Sequence, residues 1–148
     1  MWLTDVLTVY ASVVATGAAL WPIYQWRHAH RDHVEVETRF AFLTMTDGGL
    51  VDTVTVTARN RGDRPVSVTS VGIDHNDGSG RSIQNIAVVP GGSLPGTVEP
   101  GHEGMTYFMA DDLKREGVDL YRSVVGWVSL ASRSGRIESP GREPLLKS

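Results

Sequence analysis

The hydrophobic pattern divides this chain at about residue 33. From Val6 to Trp26 no side chain is charged, and only Thr8, Ser12, Thr16 and Gln25 are clearly polar. At about 1.5 Å rise per residue such a run spans roughly 31 Å as a helix, close to the ~30 Å hydrocarbon thickness of a bilayer. After His33 the period becomes two. In 34–40, Val34, Val36, Thr38 and Phe40 share one face, with Glu35, Glu37 and Arg39 on the other. In 51–60, Val54, Val56 and Ala58 alternate with Thr53, Thr55, Thr57 and Arg59. Alternation of this kind marks half-buried antiparallel strands.

The remaining elements follow from turn residues. "DGG" (47–49) turns between the first two strands, and "NRGDRP" (60–65) leads into a third at 66–73. "DHNDGSG" (74–80) joins a fourth at 82–89, and a Gly- and Pro-rich loop (90–101) holds a short strand near Thr97–Glu99. A strand at 103–110 precedes a turn or two of helix at 111–117, opened by an Asp N-cap and closed by Gly117. The run 123–132 reads as a strong late strand, and a short final one follows the "RSGR" turn. Seven or so short strands with a turn signal about every ten residues predict an antiparallel immunoglobulin-like β-sandwich behind one N-terminal apolar α-helix. The expected boundaries are a transmembrane helix at 1–27, a basic, His-bearing linker at 28–33, the sandwich at 34–139 and a mobile tail at 140–148.

The helix carries finer signals. Trp2 lies near one end of the apolar run and Trp21, Tyr24 and Trp26 at the other, as in the aromatic belts of membrane spans. Pro22 falls where a kink costs little. No Lys or Arg precedes the run, which argues against a cleaved signal peptide. Arg27 and Arg31 follow it, so the positive-inside rule places the C-terminal side in the cytoplasm. Thr8, Ala11, Ser12, Ala15, Thr16 and Ala19, spaced by threes and fours, form a small-residue stripe that would let two such helices approach and self-associate in lipid.

The segment "VTVTARNRGDRPVSVTSVGI" (54–73) resembles the strand–turn–strand core of bacterial immunoglobulin-like, CARDB-like sandwiches. With "VEPGHEGMTYFMADDLKREG" (98–117), the layout resembles a group of uncharacterised actinobacterial and phage membrane-anchored proteins. The resemblance implies a sandwich on a single span. It supplies no catalytic residue.

Composition narrows the chemistry. The net charge is −3 and the pI about 5.9, which argues against nucleic acid as a partner, since phosphate binding needs a basic surface. Cysteine is absent, which removes disulfides, Cys-zinc sites and thiol catalysis. Arg outnumbers Lys 12 to 2, consistent with a GC-rich coding bias. His28, His30 and His33 suit a headgroup-facing connector better than a zinc site, since Arg27 and Arg31 interleave them. "DHNDG" (74–78) begins like a calcium loop, but position twelve is Asn85 rather than a bidentate Glu. "RGD" (61–63) lies in a turn that favours Gly and Asp. His102 and Glu103 have no Ser elbow, Asp111 and Asp112 read as helix capping, and "GGSLPG" (91–96) lacks a phosphate-binding Lys. The expectation is a non-enzymatic protein without cofactor or metal, tethered to membrane lipid and acting through protein contacts, with homo-oligomers possible through the helix. The alternative is a structural subunit of a larger assembly such as a phage particle, its helix buried between neighbours.

Overall fold

The computed structural model describes residues 2–29, 32–46, 48–85 and 89–141. The chain divides into two compact units, 1–31 and 32–148. The first is helix α1 (Trp2–Ala29), which continues through Pro22 to Ala29.

The second unit is mainly β and wholly antiparallel. Its strands are β1 (Val34–Thr44), β2 (Leu50–Asn60), β3 (Val66–Asp74), β4 (Ser82–Asn85), β5 (Gly96–Val98), β6 (Glu103–Met109), β7 (Gly126–Leu130) and β8 (Arg136–Glu138). A short helix, α2 (Ala110–Arg115), follows β6 directly. One sheet has the order β1-β2-β6; the other runs β4-β3-β7-β8, with β5 also on β3. The β1–β2 hairpin pairs from Val34↔Asn60 to Thr44↔Leu50, so β1 runs beyond the alternating stretch that ends at Phe40.

The two sheets bury the alternating residues against each other. Val36, Val54, Val56 and Ala58 from one meet Val66, Val68, Val71, Ile73, Val128 and Leu130 from the other. Their close approach depends on Gly126. A Cβ there would lie 2.9 Å from Val56 Cγ2 and closer still to the Thr38 hydroxyl. In its place Gly126 N donates to Thr38 Oγ1 and to Ser139 Oγ, each at 3.0 Å, tying β1, β7 and the chain after β8 together.

Strand β4 is described from Ser82 to Asn85, and residues 86–88 of the expected strand lie outside the described ones. Two expected boundaries shift, each for a local reason. Strand β7 begins at Gly126 rather than 123; Ser123 instead donates its hydroxyl to Gly141 O. The N-cap of α2 is Met109, still extended and with no side-chain capping bond, so Asp111 and Asp112 sit inside the first turn. Favourable contact with the helix N-terminus remains their role there. Gly117 closes α2 as expected: at φ +89° it lets Val118 N reach Leu113 O and its own N–H reach Lys114 O.

Candidate functional site

Within α1, Val6–Gln25 is a 20-residue stretch of mean hydropathy 1.6 with none of it buried. It is long and apolar enough to cross a membrane, and a signal sequence near an N-terminus has the same properties. Of the expected interface residues, Trp21 and Tyr24 stack with ring centroids 6.1 Å apart at 26°. Trp2, Trp26 and Arg27 belong to α1 by their backbone, but their side chains lie outside the described ones, as does Arg31 altogether. The expected small stripe of Thr8, Ala11, Ser12, Ala15, Thr16 and Ala19 is exposed along its whole length. Two of its hydroxyls are already satisfied: Ser12 Oγ donates to Thr8 O and Thr16 Oγ1 to Ser12 O, both at 2.8 Å. They therefore enter any helix pair as small surfaces more than as donors in search of an acceptor.

The sequence motifs resolve into turn chemistry. Asn60, at the end of β2, is fully buried. Its Nδ2 donates to Arg64 O (2.6 Å) and Val98 O (2.9 Å), and its Oδ1 accepts from Gly62 N (2.9 Å). That Asx turn shapes the Arg61-Gly62-Asp63 segment, and Arg61 pairs with Glu35 at 2.8 Å. In 74–80, Asp77 Oδ1 accepts from Ser79 N at 2.8 Å, and its Oδ2 meets Arg81 at 3.2 Å. The Ser79 hydroxyl and amide hold the Asp77 carboxyl down at about 2. Asn76 docks on the 119–123 loop, giving Nδ2 to Asp119 O and taking Asp119 N. These groups are engaged in the turn. Among the described residues no three of His, Asp and Glu gather as a metal site. His33 is exposed; His30 and the His28 side chain lie outside the described set. His102 Nδ1 contacts Pro100 O at 3.1 Å.

The sequence gives no warning of an apolar cavity of about 460 Å³ at the end of the sandwich where the β1–β2 hairpin, β4, β6 and α2 converge. Leu43, Ile83, Phe108, Met109 and Leu113 form much of its wall, with Met45 at the exposed rim. Asp112 and Glu116, one helical turn apart, reach the lining from α2 and the residue that caps it. Beside it the hairpin projects exposed apolar groups. Phe42 is 64 % and Leu50 71 % exposed, and Phe40 and Phe42 meet edge to face at 5.3 Å. A second, polar cleft lies along the opposite half of β1, where Glu35, Glu37, Arg39, Arg59, Arg61 and Glu103 intermix. Its charges are largely answered locally, as by Arg39–Glu37 at 2.7 Å.

No protein-family model matches the chain, and no curated protein matches it.

Proposed function

We propose that the chain is a single-pass membrane protein whose helix α1 anchors a β-sandwich, and that the sandwich works by binding other proteins at the membrane. The carrying observation is the exposure of α1. Its uncharged stretch leaves Leu7, Val9, Val13, Leu20 and Ile23 exposed. Water is a costly neighbour for such a surface, and lipid is a favourable one. The charged positions just after the apolar run, Arg27 and Arg31, favour a cytoplasmic sandwich. The resemblance of 54–73 to immunoglobulin-like, CARDB-like sandwiches agrees with a binding role, because such layers host contact surfaces on their edges and loops.

The test is membrane fractionation of the full chain in cells. Carbonate washing is expected to leave it in the pellet with its N-terminus intact. A product shortened by removal of α1 identifies a signal sequence instead. An intact chain released by carbonate points to a subunit buried in a protein assembly. For orientation, the lack of native Cys allows a single reporter, Asp63→Cys, in an exposed turn. It is expected to resist a membrane-impermeant maleimide until the cells are opened.

A further inference from the structure

We propose that the cavity at the hairpin end of the sandwich is a binding site for a small amphiphilic amine, an apolar body carrying one cationic group. The proposal is independent of the membrane reading, since every wall belongs to the second unit. An apolar occupant that enters such a concavity gains dispersion contacts with walls that otherwise face solvent. Here about 460 Å³ lies open, within the range of small-molecule sites. Phe108 and Leu113 are buried at its floor, so an apolar occupant meets core residues and not merely surface ones. Met45 and Met109, two of the four methionines in the chain, line it. Their thioether side chains adapt to occupants of differing shape.

The polar part of the lining selects the charge of the ligand. Asp112 and Glu116 are there; among the described residues lining the cavity there is no Lys, Arg or His. Asp112 is partly answered by Arg115 at 2.9 Å, whereas Glu116 has no ion-pair partner among the described residues. A carboxylate or phosphate entering with its apolar body in the cavity meets like charge, and an ammonium meets opposite charge.

Three probes of equal chain length separate these terms: n-octylamine, n-octanol and n-octanoate. Their binding to residues 32–148 is read by saturation-transfer NMR and by titration of the Leu113 and Met109 methyl signals. The fragment holds the buried apolar core complete. Octylamine is expected to bind most tightly and octanoate most weakly. Glu116→Gln is expected to narrow the amine-over-octanoate preference about threefold, the scale of an exposed charge pair. Met109→Trp, which fills the cavity from its wall, is expected to weaken all three about tenfold. Met45→Trp, at the exposed rim where folding is not at stake, is expected to weaken them in the same order. Equal binding of octanoate and octylamine overturns the proposal. So does binding that neither Trp variant changes. The absence of any probe contact on the folded fragment means that the protein fills the cavity itself, and also overturns it. Should the fragment not fold, the full chain in nanodiscs carries the same probes, with the Trp variants as the reference for partition into lipid.

Discussion

Asn60 shows how much one buried amide can hold. It ends β2, closes the 61–64 turn and reaches across to Val98 of β5, and all three of its hydrogen bonds are to backbone groups. Removing it strands the carbonyls of Arg64 and Val98 and the N–H of Gly62 away from their partner. Asn60→Ala is therefore expected to cost about 2–3 kcal/mol, read as a shift in the urea midpoint. Asn60→Asp keeps the shape but turns two donors into acceptors facing carbonyls, and is expected to cost at least as much at pH 7. A change within experimental error for both variants would remove the amide from this role. The Asn-x-Gly pattern was legible in the chain as a turn, but its burial was not. That depends on Val98, a residue 38 positions away. Trp127 and Gly72 are a similar case. They pair across β3 and β7 on the side facing away from the main core, and Arg136 lies over the indole at 4.0 Å from its centroid. A Cβ on Gly72 would lie 2.6 Å from Ile83 O and overlap the indole. Gly72→Ala is expected to destabilise by about 1–3 kcal/mol, and Trp127→Phe in the same chain to recover part of the loss in a double-mutant cycle. Asp77 gives a titration test. Its carboxyl is held at about 2 against the ordinary 3.8, so the ionised turn persists as pH falls through the usual carboxylate range. Its stabilising contribution is complete above pH 3.8 and is lost progressively as pH falls from there through about 2. An NMR titration of its side-chain carbonyl near 3.8 would mean that the Ser79 bonds do not form in solution.

At the scale of elements, β2 and β3 were the most legible, because most of their apolar residues alternate and pack one face on the core, the period breaking in β3 only where the ladder slips between Val68 and Ser70. The far end of β1 was less so. Phe40-Ala41-Phe42-Leu43 is apolar on both faces, which hides the period although the hairpin ladder continues to Thr44. The reason lies in the surroundings: Phe42 and Leu50 project where they remain exposed, and Leu43 turns to the cavity. The cavity itself was invisible in the sequence, since it exists only where segments around residues 43, 83, 108 and 113 come together. Helix α1 was legible from its lack of charge alone. Its small stripe leads to an ordered set of expectations in a membrane two-hybrid or crosslinking assay. Ala15→Leu should weaken self-association most, because it holds two backbones apart. Thr16→Val should do little, since that hydroxyl is spent on Ser12 O and the shape is kept. Leu20→Ala, off the stripe, should also do little. Equal signals from all three variants and the parent would show that the stripe reflects composition, leaving any oligomer to the sandwich.

On the scale of the whole molecule, the division of labour is between a helix with no core and a β unit with a complete one. Among the described residues the buried apolar ones, from Val36 to Leu130, all belong to the second unit, and hydrogen bonds of high sequence separation close it. Thr38 reaches Ser139 at 2.9 Å, and Asp32 accepts from the Ser132 hydroxyl, so the first and last described parts of the unit are joined on the same framework. The chain has no cysteine to crosslink it, and its surface ion pairs join exposed partners that contribute little each. Stability must then rest on apolar burial between the two sheets and on the buried polar contacts at Asn60 and Gly126. Residues 32–148 alone are accordingly expected to give a β-type circular dichroism spectrum and one cooperative urea transition, with the same midpoint in EDTA as without it. Raising salt should move the midpoint little, because exposed pairs are all it screens. The polar network makes a sharper demand than the core does. Thr38→Val retains the bulk at the β1–β7 crossing but removes the hydroxyl that accepts from Gly126 N and donates to Ser139 Oγ, leaving those two only each other, so it is expected to lower the midpoint, without changing the slope, by a shift equivalent to about 1 kcal/mol. A fragment that loses its structure in EDTA would locate part of its stability in a bound metal. A fragment that never folds would assign to α1 a share of the core that the burial pattern gives to the second unit.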